Sequence, residues 1–204
     1  MLGLHYTTPA AWAQQALQNP SELMLDHLFC ERKAAAMALH TIRVNGPRFP
    51  KLKQLMKELA DEEFEHADRC EKFLAAMKRP PQTRGGNLYA LQLRKLWDIR
   101  GRDQFLDMLL VSSLIEARSA ERFKLLADAA SGNELGNFYS DLYASEVNHY
   151  RLFVSLGVEI YGEEMTMKRL EEMRAVEAQI IQSLPGGSRI HSGFYSSDSK
   201  EAAG

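Results

Sequence analysis

Only two cysteines, Cys30 and Cys70, occur in 204 residues. That excludes a disulfide framework and fits a reducing compartment. No apolar run reaches the roughly 18–20 residues needed to span a bilayer, so no membrane partner is expected. The opening stretch MLGLHYTTPA has no basic segment followed by an apolar one. It gives no sign of a secretory signal, and a cytoplasmic location is expected. Strand-like alternation is lacking, and glycine and proline gather at a few points only. No large excess of charge exists either, the formal net charge being −2. With 45% hydrophobic and 25% charged residues, disordered, collagen-like and low-complexity classes are excluded. A chain of this length can bury a core without staples. The near-neutral charge, taken alone, argues against a nucleic-acid partner.

What is present is helical periodicity throughout. A short helix is predicted over about Ala10 to Leu17. Pro20-Ser21 opens a first long helix to about Val44, which Asn45-Gly46-Pro47 ends. A second runs from about Pro50 to Lys78. After the breakers Pro80-Pro81 and Gly85-Gly86 comes a shorter helix, about Leu88 to Ile99. The third long helix is predicted from about Arg102 to Ala130, the fourth from Glu134 to Leu156. An additional helix, Glu163 to Ser183, precedes Pro185-Gly186-Gly187 and a polar tail, about 193–204, expected to be mobile.

The links between these helices carry information. Helices one and two, and three and four, are joined by a few residues and should be antiparallel neighbours. More than 20 residues separate helices two and three. Four long helices with one long crossover is the ferritin-like topology. The expected fold is therefore all-α: one ferritin-like domain over 1–204, with the bundle at about 20–157 and flanking helices added.

Two E-x-x-H motifs stand out, Glu63/His66 in the second helix and Glu146/His149 in the fourth. Residues three apart share a helix face. Each motif lies on an apolar stripe: Met56, Leu59, Ala60, Ala67, Cys70 and Leu74 around Glu63, and Tyr139, Leu142, Tyr143, Tyr150 and Phe153 around Glu146. Such stripes face the core. The other two helices each supply one carboxylate in the same setting, Glu31 and Glu116. Their separations agree, Glu31 preceding Glu63 by about as much as Glu116 precedes Glu146. Any one of these six residues is more often an ordinary hydrogen-bonded polar group. Six on matching faces of four helices would each have to be compensated on burial. A Glu from each of two helices plus Glu-x-x-His from each of the other two is a di-iron or di-manganese carboxylate set. Without cysteine in the set, a structural zinc site is disfavoured.

Other candidates are weaker. Asp26-His27, His40, His5 and His191 lack matched partners and read as surface or capping residues. Glu62 and Glu65 flank the motif, and Glu62 is a candidate to accept a hydrogen bond from a ligand histidine. Cys70 and Tyr143 read as core residues beside the site.

The near-zero charge hides two basic segments. Arg43, Arg48, Lys51, Lys53 and Lys57 occur with no acid among them. Lys78, Arg79, Arg84, Arg94, Lys95, Arg100 and Arg102 have Asp98 as their one acid. These can contact phosphates or be plain solvated charge, two readings of equal weight. If Glu31, Glu63, Glu116 and Glu146 face metal cations, the rest of the chain is net positive, and RNA is no longer excluded.

The stretch TPAAWAQQA, the segment LDHLFCERKAA around Glu31 and the two E-x-x-H motifs together resemble the bacterial tRNA hydroxylases of the MiaE family, over most of the chain up to RIHSG. The resemblance implies an O2-dependent non-haem di-iron monooxygenase. It would hydroxylate the isopentenyl group of 2-methylthio-N6-isopentenyladenosine next to the anticodon in tRNA. It implies two non-haem iron ions, O2 as co-substrate and an external electron donor, an unidentified reductase. Matched residue by residue, the ligands are Glu31, Glu63, His66, Glu116, Glu146 and His149, the same six. The tRNA contacts expected from charge are Arg43, Arg48, Lys51, Lys53, Arg84, Arg94 and Lys95. The alternative for the same ligand set is a ferritin-like protein that oxidises or stores iron or handles peroxide.

Overall fold

In the computed structural model, residues 2–82, 86–98 and 104–194 are described. Seven α-helices occur there: α1 (Ala11–Ala16), α2 (Pro20–Asn45), α3 (Pro50–Ala76), α4 (Leu88–Arg94), α5 (Gln104–Ala129), α6 (Glu134–Tyr161) and α7 (Glu163–Ser183). A 3-10 turn, Lys95–Asp98, follows α4, and no β-strand is found among the described residues. Two antiparallel hairpins, α2–α3 and α5–α6, joined by a long connection that carries α4, give the all-α, ferritin-like element order. No described helix is long and apolar enough to cross a membrane. The chain divides into two units, residues 19–85 and residues 1–18 with 86–204.

The smaller unit is the α2–α3 hairpin. Asn19 caps α2 by accepting from the Glu22 backbone N–H at 3.1 Å, and Pro20 occupies the first turn, where its missing N–H costs nothing. Pro50 opens α3 the same way. α3 ends in a Schellman motif, with Arg79 N–H donating to Leu74 and Lys78 N–H to Ala75. The left-handed position of that motif is held by Lys78, at φ 55°, where glycine is usual. Met24, Leu28, Ala35 and Ala38 of α2 and Met56, Ala60, Ala67 and Leu74 of α3 form the buried stripes of the two helices. Arg79 donates to Glu22 at 3.0 Å, and Arg32 pairs with Glu71, fixing the register.

The larger unit is built around α5, which is buried on nearly every side. Asn133 caps α6 by accepting from Gly136 N–H at 3.0 Å. A Cβ at Gly136 would lie 2.2 Å from the Ala130 carbonyl, so the α5–α6 turn needs glycine there. α6 runs past the predicted end at Leu156 to Tyr161. Gly157 does not stop it; its bare face lets Thr166 of α7 approach, to within 2.9 Å of where a Cβ would be. The actual stop is Gly162, at φ 84°. α7 then packs Leu170, Met173 and Ile181 against Leu110 and Leu114 of α5 and Tyr89 of α4. Two Arg–carboxylate pairs tie α7 to α5: Arg169–Asp107, at 2.7 and 3.1 Å, and Arg118–Glu177, at 2.9 Å through both forks. The remaining predicted boundaries hold within a few residues. The predicted starts and ends at Arg102 and Ile99 lie outside the described residues, as does most of the tail, residues 195–204. Gly193 itself is fixed, its N–H donating to Pro185 at 3.0 Å.

Candidate metal centre

In the α2–α3 unit, Glu31, Glu63 and His66 all project to the buried side of the hairpin, at 4%, 0% and 5% exposure. The 3.6-residue repeat puts Glu63 and His66 on one face of α3, and the register brings Glu31 of α2 to meet them. Each offers a ligand atom within 4.8 Å of the others. His66 Nδ1 lies 3.5 Å from Glu63 and 3.8 Å from Glu31. His27, one turn before Glu31 on α2, hydrogen-bonds to it through Nε2.

The electrostatics of this triad are those of a site that wants a cation. Burial would raise the Glu31 carboxyl, but the charge of His27, its hydrogen bond and the neighbouring His66 outweigh it and hold Glu31 well below the usual carboxylate range. Burial would lower His66, yet the neighbouring carboxylates of Glu31 and Glu63 push it up to about 10. Two buried carboxylates thus recruit a proton onto the imidazole beside them. A metal cation would supply that positive charge instead, so the donor set fits such an ion.

In the larger unit, α5 and α6 repeat the arrangement. Glu116, Glu146 and His149 are buried and present ligand atoms within 4.8 Å of one another. His149 Nδ1 is 4.0 Å from Glu146. On the same two helices, Phe123 of α5 and Tyr139 of α6 pack ring to ring, centroids 5.4 Å apart, and Leu142 and Phe153 are buried. Each unit thus contributes one E-x-x-H pair and one further glutamate.

Glu62, by contrast, is exposed on α3, and so is Glu65. The candidate ligand Glu31 is met instead by His27. Reading His27 as a surface or capping residue is corrected: it is fully buried. The signal was its place four residues before Glu31, on the same face. His191 is corrected too. It is buried, contacts Ser119 and Asn87 at 3.2 and 3.1 Å, and stacks on Tyr89 with centroids 4.7 Å apart. His5 and His40 are exposed, as expected, beside Glu171 and Arg43.

The basic residues of the first segment, Arg43, Arg48, Lys51 and Lys53, are exposed around the turn joining α2 to α3. Arg48 stacks over Phe49 at 4.9 Å. In the larger unit Arg94 and Lys95 are exposed, with Arg94 over Trp97 at 5.2 Å. Arg84, Arg100 and Arg102 lie outside the described residues.

Comparison with known proteins gives the family of the chain. Residues 2–192 match the family described as tRNA-(MS2IO6A)-hydroxylase (MiaE). A Pseudomonas putida protein named tRNA 2-(methylsulfanyl)-N(6)-isopentenyladenosine(37) hydroxylase is 36% identical, covering 92% of this chain and 90% of its own. A Salmonella typhimurium protein of the same name is 30% identical, covering 93% and 87%. Among solved structures, one titled as a protein with aldehyde deformylating oxygenase activity, from Synechococcus, superposes with a TM-score of 0.86 at 32% identity, over 95% of this chain and 98% of that one.

Proposed function

The chain belongs to the MiaE family of tRNA hydroxylases, and from that premise we propose that it is an O2-dependent di-iron monooxygenase acting on 2-methylthio-N6-isopentenyladenosine beside the anticodon of tRNA. The observation that carries the reading is the pair of buried carboxylate–imidazole triads within a chain matched to this family almost end to end. The match favours hydroxylation over iron storage or peroxide handling. A tRNA substrate also fits a cytoplasmic enzyme.

In this reading Glu31, Glu63, His66, Glu116, Glu146 and His149 hold two iron ions within one ferritin-like domain formed by the whole chain. Bound iron supplies the two-electron reduction of O2 that lets one oxygen atom enter an unactivated C–H bond, with an external donor providing the electrons. The protein's own part is positioning and exclusion. The low pKa of Glu31 keeps it ionised as a ligand. His27 fixes the orientation of that carboxylate. Phe123, Tyr139, Leu142 and Phe153, buried on the helices that carry Glu116 and Glu146, would help keep bulk water from the reacting group. An anticodon loop is single-stranded, so its modified base can be splayed out and received in a pocket.

The basic residues would grip the phosphates of the anticodon arm. At about 1.5 Å per residue, Arg43 lies roughly 18 Å along α2 from Glu31, and Lys53 roughly 15 Å along α3 from Glu63. A loop held on that basic turn has to send its hypermodified base inward over such a distance, which suits an extruded nucleotide with its isopentenyl chain leading. Phosphate contacts position the RNA, and the modified base supplies selectivity.

The test is direct. Reduced, iron-loaded protein is incubated with O2 and tRNA carrying the methylthio-isopentenyl base, and the digested nucleosides are analysed by mass spectrometry. Gain of one oxygen on that nucleoside is expected. Its absence, in protein with a full iron load, defeats the proposal. A parallel incubation with an aldehyde separates this activity from that of the Synechococcus protein.

A further inference from the structure

α5 carries two arginines one turn apart, Arg118 and Arg122, each at 0% exposure. At about 100° per residue they lie on the side of α5 turned away from Glu116. Their surroundings differ. Arg118 is saturated. Its Nε and Nη2 donate to the two oxygens of Glu177 at 2.9 Å, and its Nη1 donates to Glu121, to the Tyr6 carbonyl and to Thr8. In Arg122, by contrast, Nε, Nη1 and Nη2 are all buried without a hydrogen-bond partner among the described residues. The Trp12 ring of α1 lies against its guanidinium, 3.9 Å from ring centroid to Cζ. Trp12 is itself fully buried and is held by donating to Ser192 at 3.0 Å. Such a ring supplies cation–π attraction but no hydrogen-bond acceptor. The carboxylates of this cluster are taken. Glu177 accepts from Arg118 through both oxygens and from Tyr89 at 2.8 Å. Glu121 accepts from Arg118, and from the N–H and hydroxyl of Thr8 at 2.9 and 2.6 Å.

A guanidinium does not shed its proton on burial as an ammonium can. Burial, then Arg118, lower the pKa of Arg122 only to about 9, so it is a cation at neutral pH. Within the cluster Arg118 and Glu177 cancel, and the Glu121 side chain, 17% exposed, is partly screened by water. The interior is left with one uncompensated positive charge and the unused N–H donors of a whole guanidinium. A buried charge requires a partner. We propose that Arg122 and Trp12 form a binding site for a small monovalent anion, of the halide or carboxylate class, enclosed between α1 and α5. The single uncompensated charge sets the valence, and full burial of both side chains sets the size. A halide takes several N–H donors at once. A formate-sized carboxylate matches the planar fork with two parallel bonds. Entry requires only local opening of α1, a helix of six residues. Once bound, the anion ties α1 to α5 and stabilises the larger unit. None of the six candidate metal ligands takes part, so the test is independent of the hydroxylase reading.

The experiment unfolds the full chain with urea in sodium gluconate, whose anion is too large for the site, with chloride or formate replacing gluconate at constant ionic strength. A ligand of the folded state alone adds RT ln(1 + [L]/Kd) to stability. The urea midpoint of the unsubstituted chain should therefore rise with chloride, with formate or with both, and in proportion to log concentration once the site is mostly filled. R122M should show no such rise, and in gluconate alone it should be at least as stable as the unsubstituted chain. A response to chloride alone assigns the site to halides, and a response to formate alone assigns it to carboxylates. Midpoints that are the same in all three salts overturn the proposal, as does a rise that R122M shares. Were R122M to misfold, crystals of the unsubstituted chain soaked in bromide and in formate decide instead. An anomalous bromide peak or a formate at the Arg122 guanidinium is expected, and neither ion at those nitrogens overturns the proposal.

Discussion

His27 Nε2 hydrogen-bonds to Oε1 of Glu31, one turn further along α2, and both side chains are buried. A carboxylate with one oxygen held by an imidazole has a defined orientation before any ion arrives. Partners that orient metal ligands in this way are worth about 10–100-fold in metal affinity when removed. His27→Ala is therefore expected to weaken iron binding by that order in a chelator competition, with helix content by circular dichroism unchanged. An undiminished affinity would remove His27 from the site.

Glu116 and His149 belong to the larger unit and Glu31 to the smaller. If all serve one centre, Glu116→Ala and His149→Ala should each lose bound iron and hydroxylation together. Iron per chain, read by inductively coupled plasma spectrometry beside the nucleoside assay, checks this. Full iron content with full turnover in either variant refutes the ligand assignment.

Two buried arginines on α5 should respond in opposite ways. Arg118 is paired through both forks with Glu177, which also accepts from Tyr89 at 2.8 Å. Glu177→Ala would leave the buried Arg118 with Glu121 as its remaining carboxylate partner and strip two of its hydrogen bonds, so it should cost up to about 3–5 kcal/mol in urea unfolding. None of the three side-chain nitrogens of Arg122 has a hydrogen-bond partner among the described residues, and its guanidinium stacks on Trp12 at 3.9 Å. Burial, then repulsion from Arg118, lower its pKa to about 9. Arg122→Met, which keeps volume and drops the charge, should be neutral or stabilising. A loss as large as that of Glu177→Ala would show that the stacked cation is itself stabilising.

Charge reversal at Arg48 and Lys51 should weaken tRNA binding while sparing iron. For every phosphate that the variant no longer neutralises, the slope of log affinity against log salt should fall by about 1. Filter binding at several salt concentrations measures that slope, and an unchanged slope takes these residues off the RNA surface.

Lys78 occupies a left-handed backbone position at the end of α3, at φ 55°. A residue with a Cβ is strained there by about 1–2 kcal/mol. Lys78→Gly should recover up to about 1 kcal/mol, since glycine's greater freedom in the unfolded chain offsets part of the gain. A lower urea midpoint for the variant would contradict this.

The sequence alone determined the helices and the six candidate ligands. Both follow from local periodicity, because apolar residues every three or four positions define a buried stripe, and a glutamate or histidine inside that stripe is conspicuous. Stop signals at Asn45-Gly46-Pro47 and Ser131-Gly132-Asn133 are equally local. Gly157 was not legible as helix interior, because what permits it there is Thr166 of the next helix. Only the tertiary structure decided the fates of polar residues whose partners are distant in the chain. His191 is buried because Ser119 and Asn87 meet it from other elements, and Arg118 because Glu177 does. A side chain's helical face is written within a turn of sequence; the group that compensates it once buried is supplied by whatever the fold brings opposite.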